Sequence, residues 1–334
     1  MTVKDIFKNY SEELKTVEHR LMDIFQSNVL LIPLIGKHIL SSGGKRIRPL
    51  FLLLSADLCG YKDSNRALLG AIIEAIHTAS LLHDDVIDGA DTRRGKPASH
   101  VMWGNQIVIL VGDYLYSNAL KLAVTQKSQK IMEALSNATT SMTEGEILQL
   151  HKTGDPEITK EEYFQIISAK TGILISAACR IGSILANQPD EKEAALVSFG
   201  LKTGIAFQLA DDVLDYMAKP EDLGKRLGKD LEEGKITMPL IHLLKTALSS
   251  EREEIKNIIK ETVKTQNTEK NRANNGKNLN RITELFSKYN AIEESLKIAN
   301  ALVKEAQAEL NVFPDSREKE AILAMAEYTM QRDK

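Results

Sequence analysis

Two stretches of this 334-residue chain, Leu68–Leu82 and Phe199–Leu214, are apolar on almost every side of a helix. A surface helix shows one apolar stripe, whereas a helix apolar all round has to be enclosed by other elements. Two such helices demand a bundle with a middle, and the chain is long enough to bury one. Helical periodicity recurs elsewhere. Ile6, Leu14, Val17, Leu21 and Phe25 share a face, and helices are predicted around 46–60, 65–90, 105–126, 128–151, 159–186, 191–218, 237–262 and, with a break, 280–330. No run alternates regularly enough to be a confident strand. The turn signals at Gly43-Gly44, Gly95-Lys96-Pro97, Gly154-Asp155-Pro156 and Lys219-Pro220 do not read as an interdomain linker. The expectation is one all-α domain over 1–334, a bundle of roughly ten or more helices. Residues 263–278, with almost nothing to bury, are expected to form a mobile surface loop.

Both apolar helices end in the same acidic box. Asp84, Asp85 and Asp88 close the first, and Asp211, Asp212 and Asp215 the second. At spacings of three and four the carboxylates of a box point to roughly one side, where they repel. One such box on its own would be read as a solvated helix face. Two, each at the end of a bundle-centre helix and each followed by basic residues, call for cations. All-oxygen ligands suit Mg²⁺, with Mn²⁺ as a substitute, and no Cys/His cluster points to zinc. Mg²⁺ commonly bridges carboxylates to phosphates, so an anionic substrate is implied. The basic turn SSGGKRIRP, with Lys45, Arg46 and Arg48, is suited to hold a phosphate. Arg93 and Arg94 follow the first box; Lys225, Lys229 and Lys235 follow the second. With no GxxxxGK[ST] loop, a diphosphate is favoured over a nucleoside triphosphate.

A net charge of −3 gives no reason to expect nucleic acid as a partner. The N-terminal residues lack an apolar signal core and the longest uncharged run is too short to span a bilayer. Cys59 and Cys179, both in apolar contexts, are expected to be buried thiols in a reducing compartment. A cytoplasmic location is therefore expected, with peripheral membrane contact open.

The motifs GGKRIRP, HTASLLHDDVID, RRGKP, VGDYL, GEILQL, KT, FQLADDVLD and GKxxGKDxxEGKxTxP occur in that order. Together they resemble the polyprenyl synthetase family of trans-isoprenyl diphosphate synthases, over about Gly43 to Pro239. The resemblance implies an all-α isoprenoid synthase fold around a deep central cavity, usually a homodimer. It implies that Asp84, Asp85, Asp88, Asp211, Asp212 and Asp215 hold Mg²⁺, about three ions per site, on an allylic diphosphate. Arg93, Lys170, Lys225 and Lys235 would neutralise that diphosphate, with Thr171 and Gln208 near the developing allylic cation. Lys45, Arg48, His77 and Arg94 would bind isopentenyl diphosphate. His77 alone on an apolar helix would more often be a core histidine, and His83 is expected to serve the helix rather than the substrate.

One turn before Asp84 stand Ala79 and Ser80, where family members with short products tend to carry aromatic side chains. Two small residues imply an open passage and a long product. By family analogy it has roughly six to ten isoprene units and is octaprenyl-like, built on a farnesyl or geranylgeranyl primer, with a floor near Met132 or Leu135. The alternatives are a class I terpene cyclase or lyase, and a non-catalytic partner subunit of a heteromeric synthase. A cyclase normally lacks a second DDxxD, and a partner subunit usually loses one box.

Overall fold

The computed structural model describes residues 1–217, 228–264 and 272–330. Helices follow one another almost without interruption: α1 (Val3–Asn9), α2 (Ser11–Ile24), α3 (Leu31–Ser41), α4 (Ile47–Leu58) and α5 (Asn65–Ile87). A two-residue hairpin, β1 (Thr92–Arg93) and β2 (Lys96–Pro97), leads to α6 (Ser99–Trp103), α7 (Asn105–Val124), α8 (Gln129–Lys152) and α9 (Lys160–Ile167). A π-turn (Ser168–Gly172) joins α9 to α10 (Ile173–Leu185), and α11 (Asp190–Met217) carries the second box. The remaining helices are α12 (Lys229–Glu232), α13 (Met238–Thr246), α14 (Ser249–Lys264), α15 (Arg272–Lys288), α16 (Ala291–Glu309) and α17 (Arg317–Tyr328). The all-α expectation holds.

The chain sorts into two compact units. The first holds Met1–Thr140, Leu174–Leu201 and Gln307–Met325; the second holds Ser141–Ile173, Lys202–Ala306 and Ala326–Lys334. At the centre of the first lies α5, packed along α7 and against α2 and α4. Leu69, Ala71, Ile72, Ile73, Ala75, Ile76 and Ala79 have no exposed surface. Positions 69–76 are all buried, more than two helical turns at 100° per residue, and so leave no solvent face, as the all-round apolar pattern requires. Each fully buried isoleucine or leucine adds roughly 1.5–3 kcal/mol of burial energy. In the second unit the box end of α11 is similarly enclosed, with Thr203, Ala206, Leu209, Ala210 and Val213 buried.

Local signals explain several helix ends. Thr2 and Thr159 each form a capping box, with Asp5 and Glu162 returning the hydrogen bond, which satisfies orphan N–H groups of the first turn. No helix is expected over 26–45, yet α3 forms there. Its Pro33 stands in the first turn, where its missing N–H has no partner to lose. The expected loop over 263–278 is also too long. α14 runs to Lys264 and α15 starts at Arg272, because the buried Ile282, Leu285 and Phe286 anchor a helix that propagates back into the Asn-rich stretch. The intervening 265–271 lie outside the described residues. Cys179 is buried, but Cys59 is partly exposed; both are free thiols.

Candidate active site

In the first unit, Asp84, Asp85 and Asp88 close α5. They are not equivalent. Asp85 is 3% exposed and accepts a hydrogen bond from Arg93 Nε at 2.6 Å, while Asp84 and Asp88 are half-buried. Burial pushes the Asp85 carboxyl above its ordinary range, against the opposing pull of Arg93. Next to the box, His83 Nε2 lies 3.1 Å from the Ile109 carbonyl and 3.4 Å from Asp113 Oδ1. Gly112 makes room for the ring: a Cβ there would fall 2.3 Å from Nε2. The VGDYL motif thus seats His83 and fixes the rotation of α5 beside Asp84.

One turn and more upstream, His77 is half-buried. Loss of solvent, then Arg48, Arg93, Arg94 and Arg46, hold its imidazole well below the ordinary histidine range. Four guanidiniums therefore gather around it, and Arg94 donates from Nη1 to the Gly43 carbonyl. Lys45 is exposed and Arg48 half-buried. Arg46 behaves otherwise. It is 7% exposed, with Nε 3.1 Å from Glu18 Oε1 and Nη1 2.9 Å from Glu74 Oε1. The expectation that all three basic residues of the turn face a phosphate is corrected here: Arg46 is turned inward because two carboxylates of α2 and α5 claim it.

In the second unit, Asp211 is exposed, Asp212 buried and Asp215 half-buried. Asp212 accepts from Tyr163 Oη at 2.6 Å and from Gln208 Nε2 at 2.7 Å. Gln208 in turn accepts from Thr171 Oγ1 at 2.7 Å. Asp215 Oδ2 accepts the backbone N–H of Asp230 at 3.0 Å. Burial pushes Asp212 up to about 7, with Asp211 and Asp215 raising it further and the Tyr163 and Gln208 donors opposing. Asp215 is raised for the same first reason, and Asp230 well above the carboxylate range, by burial and then by Asp212 and Asp215. Lys235 and Lys229 both pair with Glu233, at 2.7 and 2.8 Å, and Lys170 pairs with Glu146 of the GEILQL motif at 2.6 Å. Lys225 lies outside the described residues. Lys170 and Thr171 stand on the π-turn, a feature that often marks functional sites. Gly204 fits against it so closely that a Cβ would come 2.6 Å from the Gly172 Cα.

Among the described residues, no three His, Cys, Asp or Glu side chains converge as a self-sufficient metal cage. The donor chemistry still fits Mg²⁺, which retains waters and takes only one or two carboxylates beside substrate phosphates. Burial and mutual repulsion raise the carboxyls around Asp212, and a divalent ion there would favour their ionised forms. Tyr163 and Asp230 carry no site expectation from the sequence. Tyr163 reads as a core aromatic, and only the fold brings it to Asp212. Asp230 lies inside a quoted motif, its own role unassigned. Of the chain-length pair, Ala79 has no exposed surface and Ser80 is half-buried, so Ser80 is the position with room. Leu135 is buried and Met132 half-buried.

The sequence model of the polyprenyl synthetase family matches residues 31–275. The chain is 37% identical to the octaprenyl diphosphate synthase of Escherichia coli (strain K12), with all of both chains aligned. It is 33% identical to the all-trans-nonaprenyl-diphosphate synthase (geranyl-diphosphate specific) of Rhodobacter capsulatus, covering 98% of each. Among solved structures, the polyprenyl synthase of Caulobacter crescentus CB15, complexed with calcium and isoprenyl diphosphate, superposes with a TM-score of 0.90 at 36% identity, over 99% of this chain and 98% of that one.

Proposed function

This chain belongs to the polyprenyl synthetase family, and from that membership we propose that it condenses isopentenyl diphosphate with an allylic diphosphate, repeatedly and head to tail, to a long trans-polyprenyl diphosphate. The single observation that carries the reading is the full-length 37% identity to an octaprenyl diphosphate synthase, across a chain that keeps both aspartate boxes in order. A terpene cyclase leaves the Lys45, Arg48, His77 and Arg94 cluster without a purpose.

When bound through the outward aspartates of the boxes, Mg²⁺ neutralises the diphosphate and makes it a better leaving group. The chain's own residues do the rest. Arg93, Lys170, Lys225 and Lys235 receive the departing diphosphate as the allylic C–O bond breaks and its electron pair leaves with oxygen. Thr171 and Gln208 set oxygens near the cation that remains. Lys45, Arg48, His77 and Arg94 hold isopentenyl diphosphate, whose double bond forms the new C–C bond; a proton is then lost to the released diphosphate. The apolar flank of α5 excludes water, so that the cation is alkylated rather than hydrated. Asp85 and Asp212, expected from the sequence among the metal ligands, have oxygens engaged by Arg93, Tyr163 and Gln208, and we assign them to brace their boxes as well.

Small side chains at Ala79 and Ser80 support an octaprenyl-like product on a farnesyl or geranylgeranyl primer. We place the protein in the cytoplasm as a homodimer. In the first unit α7 carries the exposed Ile109, Leu110 and Val124, apolar surface suited to a second copy. Peripheral membrane contact would receive the apolar product. Incubation with radiolabelled isopentenyl diphosphate, an allylic primer and Mg²⁺ tests the reading. Butanol-extractable prenyl diphosphate is the expected product. A hydrocarbon would establish a cyclase instead, and no product from the purified chain would establish a partner subunit.

A further inference from the structure

We propose that Arg46 is a positioning residue for isopentenyl diphosphate: clamped between Glu18 and Glu74, it locks the 43–48 turn, which carries Lys45 and Arg48, onto the segment of α5 that carries His77. The inference rests on the substrate assignment above and adds a residue that holds the binding groups rather than touching the ligand.

The backbone supplies the first observation. Arg46 has φ 51° and ψ 41°, the left-handed region that a Cβ disfavours and glycine accepts. Gly43 and Gly44 stand three and two residues before it, yet the left-handed residue that opens α4 is an arginine. A non-glycine residue persists in such a conformation when its surroundings over-determine it.

The side chain shows what does so. Nε reaches Glu18 on α2 at 3.1 Å and Nη1 reaches Glu74 on α5 at 2.9 Å. Glu74 is itself 5% exposed, and it lies three residues before His77, one helical turn away. The pair joins the turn to the segment of α5 that carries His77. A buried ion pair is weak evidence for stability, because desolvation offsets most of its attraction, while its fixed geometry favours a role in position.

A second strap holds the other end of the turn. Arg94 Nη1 donates to the Gly43 carbonyl, and Lys96 Nζ donates to the Ser41 carbonyl at 2.9 Å. A Cβ on Gly44 would lie 2.9 Å from Nη1 of both Arg46 and Arg94, so two guanidiniums flank the backbone there. The turn is fixed from both sides before any anion arrives, which reduces the ordering that binding requires.

The test is steady-state kinetics with each substrate varied separately, alongside calorimetric titration of isopentenyl diphosphate and melting curves. Glu74→Gln keeps the side-chain volume and removes the charge; Arg46→Gly relaxes the left-handed residue and removes the clamp. Both should raise KM for isopentenyl diphosphate about ten-fold or more, with allylic KM and kcat within about three-fold, since the interaction lost acts on binding of one substrate. The combined variant should be no worse than Arg46→Gly, because both remove the same contact. If Arg46→Gly does not fold, Glu74→Gln carries the test. Unchanged KM and titrated affinity for isopentenyl diphosphate with a lowered melting temperature would make Arg46 merely structural and overturn the proposal. An unaltered chain that neither binds nor condenses isopentenyl diphosphate would instead refute the substrate assignment.

Discussion

The two aspartate boxes share their spelling and differ in their electrostatics. In the first, the buried central residue, Asp85, is met by a full positive charge on Arg93 at 2.6 Å. In the second, the buried central residue, Asp212, is met by two neutral donors, Tyr163 and Gln208. Around it stand Asp211, Asp215 and Asp230, each raising or being raised by the others after burial. The nearby Lys229 and Lys235 are shared with Glu233. Among the described residues, the buried carboxylate of the first box is thus met by a charged donor and that of the second by neutral ones. A DDxxD pattern therefore fixes where carboxylates lie, not how much they need a metal; the neighbours decide that.

The largest expected effect tests whether both boxes matter equally for turnover. On the proposed mechanism, Asp84→Ala and Asp211→Ala should each lower kcat on the order of a thousand-fold, because each removes a carboxylate assigned to hold Mg²⁺ on the leaving diphosphate. Far-UV circular dichroism should be unchanged. A variant that keeps near-normal kcat would exclude its box from the chemistry.

The residue four positions before each box separates them further. Ser80 precedes Asp84, whereas Phe207 precedes Asp211. If the growing tail runs along α5 from the first box, Ser80→Phe should shift the main product to a markedly shorter chain, read by thin-layer chromatography after dephosphorylation. Ala79→Phe should mostly lower the melting temperature, since its site has no exposed surface and overpacking commonly costs about 1–3 kcal/mol. An unchanged product distribution in Ser80→Phe would remove α5 from the tail path.

This contrast also measures what could be read from sequence. The bundle, the two central helices and the boxes were legible because they are local: apolar content round a helix and charge at spacings of three and four need no tertiary knowledge. The inequality within each box was not legible, since Tyr163 and Asp212 are 49 residues apart and Arg46 and Glu74 are 28 apart. Nor was α3, nor the π-turn at Lys170–Thr171, which a helical period cannot distinguish from regular α-helix.

A smaller effect concerns pH. The Asp212 carboxyl titrates near 7 in the folded protein against an ordinary 3.8, so between these values the folded state binds more protons than the unfolded one. Stability of the metal-free protein from this group therefore falls as pH rises from about 4 through 7. Asp212→Asn should flatten that decline and raise the metal-free melting temperature at pH 8. Asp85→Asn should not, because it strands the Arg93 charge. Added Mg²⁺ should raise the melting temperature of the unaltered protein more at pH 8 than at pH 5. A decline of equal size in Asp212→Asn would place its origin elsewhere.

The smallest effect isolates the brace itself. Tyr163→Phe removes one hydroxyl, 3% exposed as a residue, and leaves Asp212 Oδ2 without its 2.6 Å donor. That donor favours the ionised carboxylate, so its loss moves the Asp212 pKa further upward. At pH 8, where Asp212 is mostly ionised, the change should destabilise the protein by about 1–3 kcal/mol, the usual range for a buried acceptor left unsatisfied. At pH 5 the carboxyl is protonated in both proteins and the gap should shrink, which denaturant titration at the two pH values will show. The equivalent experiment in the first box is confounded: Arg93 both pairs with Asp85 and is assigned to the substrate diphosphate, so its removal changes brace and ligand together. Tyr163 is assigned no substrate contact, although its hydroxyl also takes a backbone hydrogen bond from Met238. A loss independent of pH would place its origin in the Met238 backbone contact rather than in the Asp212 charge, and the contrast between a charged brace and a neutral one would fail.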